Sequence, residues 1–215
     1  ALNERGTDDI YVTDRIGCGE KWRNLMPLRF ADYIDADELK ARLTANENEL
    51  GEVGTVFHLG ACSSTTETDV AWLTKNNFGY TKFLAQWALR NAARFIYASS
   101  SSVYGIKGDE EVTEDMSLQP LTDYSKYKAM CEDVLLKKQE PGFVPLILRP
   151  ATVCGYSPRL RLDLIVNILT NHAVNNKKIT VFGGEQMRPN IHISDVTDLY
   201  VRSLEWPEEL VDGDV

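Results

Sequence analysis

A tyrosine and a lysine four residues apart form the strongest chemical motif of the sequence. Tyr124 and Lys128 begin and end YSKYK (124–128), and helical spacing would place both side chains on one face. A lysine ammonium beside a phenol lowers the pKa of that phenol, because the cation favours the phenolate. Such a tyrosine can take a proton from a hydroxyl group while hydride leaves the same carbon. Lys128 can also hydrogen-bond the ribose of a nicotinamide cofactor.

A run of serines strengthens this interpretation. SSSSVYG (99–105) follows an apolar segment, and its Ser100 precedes Tyr124 by 24 residues. A serine at the end of a neighbouring strand can hold the hydroxyl group that the tyrosine deprotonates. The spacing of Tyr124 and Lys128 alone arises often by chance on amphipathic surface helices. Together with the serines in an alternating strand and helix pattern, it favours a catalytic site over a surface helix.

Charged residues follow the first apolar segment, IYVTD (10–14). Asp14 stands where an acidic residue of a dinucleotide-binding fold accepts hydrogen bonds from the adenosine ribose. Arg15 and Lys21 could hold a 2′-phosphate, which favours NADP. NAD stays the alternative, because the Asp14 carboxylate would repel that phosphate. The structural alternative is a solvated, charged turn.

Small and hydroxyl-bearing residues dominate LGACSSTTETD (59–69). Gly60 and Ala61 would let the backbone approach a bound cofactor. The hydroxyl groups offered to a ligand belong to Ser63, Ser64, Thr65 and Thr66. The segment could equally cap the following helix, since Thr66 precedes Asp69 by three residues.

The apolar pattern along the chain predicts the strands and helices that would position these groups. Strands are predicted at 10–14, 29–33, 55–59, 94–100, 144–149, 179–182 and 191–193. Helices are predicted at 35–43, 69–90, 124–137, 160–174 and from residue 195 onward. Nearly continuous apolar strands that alternate with helices predict an α/β fold with a doubly wound parallel sheet. Ligands of such sheets bind beyond the carboxyl ends of the strands.

The same pattern suggests how the chain is divided. We expect residues 1–155 to form a Rossmann-like NAD(P)-binding domain and residues 156–215 a partial substrate-binding lobe mixed with returning Rossmann elements. ALNERG (1–6) is typical of the last turn of a helix that stops at Gly6. We therefore expect a first strand and a Gly-rich phosphate loop to precede Ala1, and the sequence to be a fragment.

Composition excludes several classes of function. The chain has 215 residues, of which 32 are acidic and 23 basic, and its net charge of −9 argues against a nucleic-acid partner. Its apolar runs are too short to span a bilayer. The four cysteines and three histidines lack metal-ligand or redox spacing, which predicts a reduced, cytoplasmic protein without a metal. We interpret His58 as a hydrogen-bonded core residue and do not expect Cys62 to be a nucleophile.

These motifs resemble the extended short-chain dehydrogenases/reductases of the nucleotide-sugar epimerase and dehydratase family, over residues 1–203. The family's catalytic triad falls on Ser100, Tyr124 and Lys128. Asn77, in NNFGYTKFL, matches a family asparagine of the cofactor site, and Arg188 matches an arginine that contacts the substrate diphosphate. The resemblance implies NADP or NAD as cofactor, a nucleotide sugar as substrate and a homo-oligomer as assembly.

The resemblance leaves the reaction and the substrate open. Dehydratases of the family carry an Asp-Glu pair where this chain has Ser101 and Ser102, so epimerisation is favoured. A simple carbonyl reductase and a non-enzymatic dinucleotide sensor remain as alternatives. Residues 1–105 resemble a branch that epimerises a nucleotide-linked heptose, whereas the second half resembles generic sugar epimerases. Candidate substrate contacts are Ser102, Thr152, Arg161 and Arg188.

Two helices are candidates for an interface between subunits. In this family, helices at positions equivalent to 69–90 and 124–137 often form a four-helix dimer contact. Trp72, Phe83 and Met130 lie off the expected core face of these helices. The alternative is that the three side chains pack against the sheet of their own subunit.

Overall fold

The computed structural model describes residues 1–64, 67–108 and 110–211. The predicted ligand groups of Thr65 and Thr66 therefore lie outside the described residues. The chain forms two compact units: the first comprises Ala1–Asp35 and Ala151–Ser203, the second Ala36–Pro150 and Leu204–Val215. The expected division at residue 155 stays a prediction.

Strands and helices alternate along the chain. The strands are β1 (Tyr11–Asp14), β2 (Asp32–Asp35), β3 (Thr55–His58), β4 (Arg94–Ala98), β5 (Leu146–Leu148), β6 (Thr152–Cys154) and β7 (Asn190–His192). The helices are α1 (Ala36–Ala45), α2 (Val70–Leu73), α3 (Tyr80–Arg90), α4 (Asp123–Leu136), α5 (Ile165–Asn176) and α6 (Ile193–Arg202). A π-helix spans Thr74–Gly79, and short 3₁₀-helices span Asn3–Arg5, Lys21–Asn24, Ser101–Tyr104 and Glu208–Leu210.

The second unit is built on a three-stranded parallel sheet in the order β3-β4-β5. Phe57 pairs with Ile96, which in turn pairs with Leu146. Phe95, Ile96 and Ile147 are fully buried. A strand that is apolar on both faces is stable only when both faces are covered, which explains these continuous apolar runs.

The first unit contains two parallel strand pairs. β1 pairs with β2 in a register that sets Thr13 opposite Ile34, and β6 pairs with β7 with Val153 opposite Ile191. Every pairing between named strands in the described part of the chain is parallel. The predicted α/β class with parallel strands is confirmed.

Two local predictions in the first unit are wrong. Residues 179–182 form no strand, and Phe182 is 85% exposed. A strand needs a hydrogen-bonded partner, and within the described residues none of the strands β1 to β7 pairs with this segment. Thr152–Cys154, for which the pattern predicts no strand, forms β6 and pairs with β7.

The helical segment at 70–90 is also less regular than its sequence pattern indicates. Asp69 caps it by accepting a hydrogen bond from the Trp72 amide at 2.9 Å. The segment then widens into the π-helix between α2 and α3, where Asn76 and Asn77 are buried. π-Helical turns often occur at functional sites, and here the turn directs a buried amide side chain toward the loop after β3. None of the helices in the described ranges is long and apolar enough to cross a membrane.

Candidate active site

A capping box fixes the start of α4, the helix that carries the tyrosine and lysine. The Thr122 hydroxyl accepts from the Ser125 amide at 3.2 Å, and the Ser125 hydroxyl accepts from the Thr122 amide at 3.0 Å. The two reciprocal bonds satisfy amide groups that a helix start leaves unpaired. They set the first turns of α4, so Tyr124 and Lys128 face the same side as predicted.

Lys128 is buried beside the carboxyl end of β4, with 3% of its surface exposed. Its Nζ donates to the Ala98 carbonyl at 2.5 Å. The same ammonium lies 4.6 Å from the Tyr97 ring centroid and 5.8 Å from that of Tyr124. Burial lowers the pKa of Lys128 to about 8. The structure thus brings the predicted pair together and places a cation at the tyrosine ring.

Ser100 caps the 3₁₀-helix Ser101–Tyr104 that follows β4. Its Oγ accepts from the Ser102 amide at 3.3 Å and from the Ser102 hydroxyl at 2.9 Å. A serine hydroxyl has one proton and two acceptor positions. Both bonds use acceptor positions, which leaves the Ser100 proton able to reach a ligand oxygen. Ser102 orients Ser100 through these contacts.

Asn77 holds the loop after β3. Its Oδ1 accepts from the Cys62 amide at 2.8 Å, and its Nδ2 donates to the Cys62 carbonyl at 3.0 Å. Asn77 is 3% exposed. The buried amide therefore fixes the backbone that follows Gly60 and Ala61. A Cβ added to Gly60 would meet open space, so this backbone is accessible to a ligand.

His58 belongs to a buried hydrogen-bonded chain, as predicted for a core residue. Its Nε2 lies 2.7 Å from the Thr81 hydroxyl, and that hydroxyl donates to the Asn77 carbonyl at 2.5 Å. Because Thr81 has a single hydroxyl proton, His58 must donate from Nε2. Burial and the charge of Lys128 lower the pKa of His58 to about 3. The neutral imidazole supports the π-helix that carries Asn77.

The predicted cofactor residues of the first unit form a charged turn in which Asp14 is exposed and Arg15 and Lys21 are half-buried. Lys21 Nζ lies 3.2 and 3.1 Å from the two carboxylate oxygens of Asp14 and donates to the Arg15 carbonyl at 3.1 Å. The Arg15 amide donates to Asp14 Oδ1 at 2.7 Å. Lys21 therefore offsets the negative charge of Asp14, which would otherwise repel a 2′-phosphate.

The remaining substrate candidates also lie in the first unit. The Thr152 amide donates to the Pro189 carbonyl at 3.2 Å, which brings Thr152 next to the backbone of the exposed Arg188. Arg161 lies in a different segment and binds Asp163 with two hydrogen bonds of 3.0 and 2.5 Å. Its guanidinium holds the pKa of Asp163 below the usual range.

The sequence pattern does not predict two buried residues that lie next to the candidate triad. Glu132 and Arg149 form an ion pair between α4 and the end of β5. Glu132 follows Lys128 by four residues and so shares its helix face. That spacing was the available clue, but the partner on another element could not be deduced from it.

The parallel sheet, with Ser100 after β4 and with Tyr124 and Lys128 on the adjacent helix α4, is the arrangement expected of the extended short-chain dehydrogenase/reductase class. The chain belongs to the NAD dependent epimerase/dehydratase family, whose family model matches residues 1–215. This match confirms the predicted class and the NAD-type cofactor; the choice between NADP and NAD stays a prediction.

Curated relatives and solved structures agree with this family. The chain is 34% identical to the ADP-L-glycero-D-manno-heptose-6-epimerase of Fusobacterium nucleatum, over 92% of this chain and 64% of the relative. It is 33% identical to the protein of the same name from Alkalilimnicola ehrlichii, over 96% of this chain and 67% of the relative. The chain thus spans about two thirds of the length of these relatives.

Among solved structures, the UDP-glucuronic acid 4-epimerase of Bacillus cereus in complex with NAD matches with a TM-score of 0.79 and 27% identity. The match covers 95% of this chain and 67% of that one. The ADP-L-glycero-D-manno-heptose-6-epimerase of Helicobacter pylori matches with a TM-score of 0.77 and 25% identity, over 92% of this chain and 64% of that one. The Rossmann-like nature of the fold is confirmed.

Proposed function

We propose that the protein is an NAD(P)-dependent nucleotide-sugar epimerase. The observation that carries this proposal is the buried Lys128 ammonium, bonded to the Ala98 carbonyl and 5.8 Å from the Tyr124 ring. A buried cation beside a phenol favours the phenolate and prepares it to accept a proton. Ser100, at the end of the same strand, can bind the hydroxyl group that loses the proton.

The residues of the chain fit the nicotinamide cofactor that the family uses. An ammonium has three donors, and the Ala98 carbonyl takes one, so Lys128 retains donors for ribose hydroxyls. The loop held by Asn77 offers accessible backbone at Gly60. Within the first unit, Asp14 remains the candidate acceptor for the adenosine ribose, with Lys21 beside it. When bound, the cofactor would accept hydride from a sugar carbon and return it.

The protein groups then handle the proton and the orientation. Tyr124 takes the proton of the sugar hydroxyl as the carbon is oxidised and returns it when the carbonyl is reduced from the opposite face. Lys128 stabilises the phenolate in between, and Ser100 holds the sugar oxygen throughout. Inversion requires the oxidised sugar to present its other face before reduction, which is how an epimerase differs from a simple reductase.

ADP-L-glycero-D-manno-heptose is our named substrate, and the reaction is epimerisation at carbon 6. Both curated relatives reported above carry that name, at 33–34% identity. The rival is a UDP-hexose 4-epimerase, in line with the Bacillus cereus structure. By resemblance to the heptose enzymes we expect an asparagine where the chain has Thr152, and a lysine as second acid/base where the nearest residue is Arg161. Arg161 is bound to Asp163 and stays protonated, so it does not serve as a second proton acceptor.

The test supplies the complete protein encoded by the gene with ADP-heptose, UDP-glucose and UDP-galactose, and follows the epimer ratio by NMR. Turnover of ADP-heptose supports the named substrate. If a UDP-hexose is turned over and ADP-heptose is not, the named substrate is wrong but the protein is still a nucleotide-sugar epimerase. Tight cofactor binding without epimerisation of any of the three refutes the proposal in favour of a reductase or a sensor.

We also propose a cytoplasmic homo-oligomer built through α2, α3 and α4. Met130 is 47% exposed on α4, and Trp72 is half-buried on α2. Phe83 already packs against Tyr80, with ring centroids 6.4 Å apart, and the Lys40 ammonium lies 5.6 Å from its ring. Trp72 and Met130 are therefore the stronger candidates for the contact.

A further inference from the structure

A buried ion pair lies directly behind the candidate triad. Arg149 Nη2 is 2.7 Å from Glu132 Oε2, and Arg149 Nε is 3.1 and 3.2 Å from the two carboxylate oxygens. The side chains are 8% and 2% exposed. Burial alone would lower the pKa of the Arg149 guanidinium, but its bonds to Glu132 and Tyr104 outweigh burial and raise that pKa. The guanidinium therefore keeps its charge in the folded protein.

Each member of the pair has further partners at the strand ends. Glu132 accepts a hydrogen bond from the Ser99 hydroxyl. Arg149 Nη1 donates to the Tyr104 hydroxyl at 2.7 Å and to the Glu114 carbonyl at 3.0 Å. The guanidinium also lies 4.9 Å from the Tyr104 ring centroid. The pair thus joins α4 to the 3₁₀-helix after β4 and to the loop that contains Glu114.

The contacts of α4 with β4 are consecutive along the strand. Lys128 binds the Ala98 carbonyl, and Glu132, one helical turn later, binds the Ser99 hydroxyl. The next residue is Ser100. Ala98 pairs with Leu148 in the sheet, and Arg149 follows Leu148. The ion pair therefore fixes α4 on two adjacent strands at the point where Ser100 must meet Tyr124.

We propose that Glu132 and Arg149 are positioning residues, which hold Lys128 and Ser100 in the geometry that the reaction requires. This inference rests on the proposed function. Two buried charges are costly to desolvate, and apolar side chains of similar volume are often as stabilising. Directional hydrogen bonds, however, fix the orientation of a helix in a way that apolar contacts do not. A displacement of about 1 Å in a reacting group can cost about 100-fold in rate.

Glu132 has a second effect on Lys128. Burial lowers the pKa of Lys128 to about 8, and the negative charge of Glu132 acts in the opposite direction. Removal of that charge should lower the pKa of Lys128 further. The ammonium would then lose its proton at a lower pH, and the phenolate of Tyr124 would lose its counter-charge. A residue that contributed packing alone, without a charge close to Lys128, would not change this titration.

The experiment compares three variants of the complete protein. Glu132→Gln keeps the shape of the side chain and removes its charge. The double variant Glu132→Leu/Arg149→Leu replaces the pair with apolar groups. Glu47→Gln is the matched control, because it breaks the exposed pair of Glu47 with Arg90 at 3.3 Å. Turnover, thermal unfolding and the titration of Lys128 are measured, the last by NMR of ¹³Cε-labelled lysine with Lys128→Met for assignment.

We expect Glu132→Gln to reduce turnover by about 100-fold and to shift the Lys128 titration to lower pH. The double leucine variant should be more stable to heat than Glu132→Gln, while its turnover stays low. Glu47→Gln should match the wild type in every measurement. Turnover of Glu132→Gln within about twofold of wild type, or full recovery of turnover in the double variant, would overturn the proposal.

The NMR titration separates this inference from the proposed function, because it needs no substrate. A wild-type protein that turns over none of the nucleotide sugars refutes the function, and the titration then decides the inference alone. An unchanged Lys128 titration in Glu132→Gln overturns the positioning role. A shift to lower pH supports the coupling of Glu132 to Lys128, whichever substrate the protein uses.

Discussion

At the scale of single residues, burial decides the chemistry of the site. Lys128 and His58 are both almost fully buried, and burial disfavours the charged form of each. Lys128 retains its charge near neutral pH because its folded pKa is about 8. His58, with a pKa of about 3, is neutral and serves as a structural donor. Burial lowers both pKa values, but from 10.5 for the lysine and from 6.5 for the histidine. Lys128 therefore remains a cation, whereas His58 is neutral.

The residue that the mechanism depends on most is Tyr124. Tyr124→Phe should reduce turnover by about 10²–10⁴-fold, because it removes the only atom that accepts the substrate proton in the proposed mechanism. Cofactor binding, measured by fluorescence of the reduced nicotinamide, should be retained. Tyr127→Phe on the same helix is the control, since its hydroxyl contacts Thr74 at 2.5 Å and has no place in the mechanism. Ser100→Ala should be milder than Tyr124→Phe. Unchanged turnover in Tyr124→Phe would contradict the assignment.

His58 makes the stability of the protein depend on pH. Its pKa is about 3 in the folded protein and 6.5 ordinarily. Between these pH values the unfolded chain binds a proton at His58 and the folded protein does not. Stability is therefore lost as pH falls below 6.5 toward 3. From pH 7 to pH 5 this single group should remove about 2 kcal/mol of unfolding free energy. Urea unfolding at both pH values measures it.

His58→Gln keeps a donor for Thr81 but has no proton to gain, so the loss of stability between the two pH values should shrink by about 2 kcal/mol. The control is His172→Gln on α5, which should leave the pH dependence of the wild type intact. An identical pH dependence in wild type and His58→Gln would show that His58 is not the group responsible.

At the scale of elements, the turn after β1 tests the choice of cofactor. Lys21 is bound to Asp14, so it can favour NADP in two ways, by attracting a 2′-phosphate and by neutralising the carboxylate that repels it. Arg15→Ala/Lys21→Ala should weaken NADPH binding at least about tenfold more than NADH binding, because charge-assisted contacts of about 1.5 kcal/mol each are lost.

Fluorescence titration with NADPH and NADH gives the two dissociation constants. Arg23→Ala is the matched control, because Arg23 belongs to the same 3₁₀-helix but pairs with Glu20 at 3.0 Å. Arg23→Ala should change neither constant. An equal loss of affinity for both cofactors in the double variant would show that these cations do not recognise the 2′-phosphate.

At the scale of the whole molecule, the exposed apolar side chains of α2 and α4 predict self-association. Met130→Glu should raise the dimer dissociation constant by at least about tenfold, because a carboxylate buried at an interface lacks a partner there. Light scattering at micromolar concentration measures the mass. Met26→Glu is the control, since Met26 is 70% exposed and lies outside these helices. A wild-type protein that is strictly monomeric at micromolar concentration would contradict the prediction.

The sequence by itself determined the features that depend on neighbours along the chain. The spacing of Tyr124 and Lys128 predicted a shared helix face, and the apolar runs at β3, β4 and β5 predicted buried parallel strands. Helical and strand periodicities arise from backbone geometry within a few residues, so they can be seen in the sequence. For the same reason, Gly6 was predicted to end a helical turn, and the structure places its φ at 86°.

Only the tertiary structure decided which distant groups meet. Arg149 is the partner of Glu132, and Asn77 holds Cys62; no periodicity relates either pair. The segment 179–182 has the composition of a strand but pairs with none of the strands β1 to β7. Pairing in space depends on the positions of other elements, and the free energy of a buried charge or amide depends on whether a partner is there. Composition and spacing reveal neither the partner in space nor the free energy that depends on it. The sequence therefore predicted the candidate catalytic pair, Tyr124 and Lys128, but not the contacts that hold it in place.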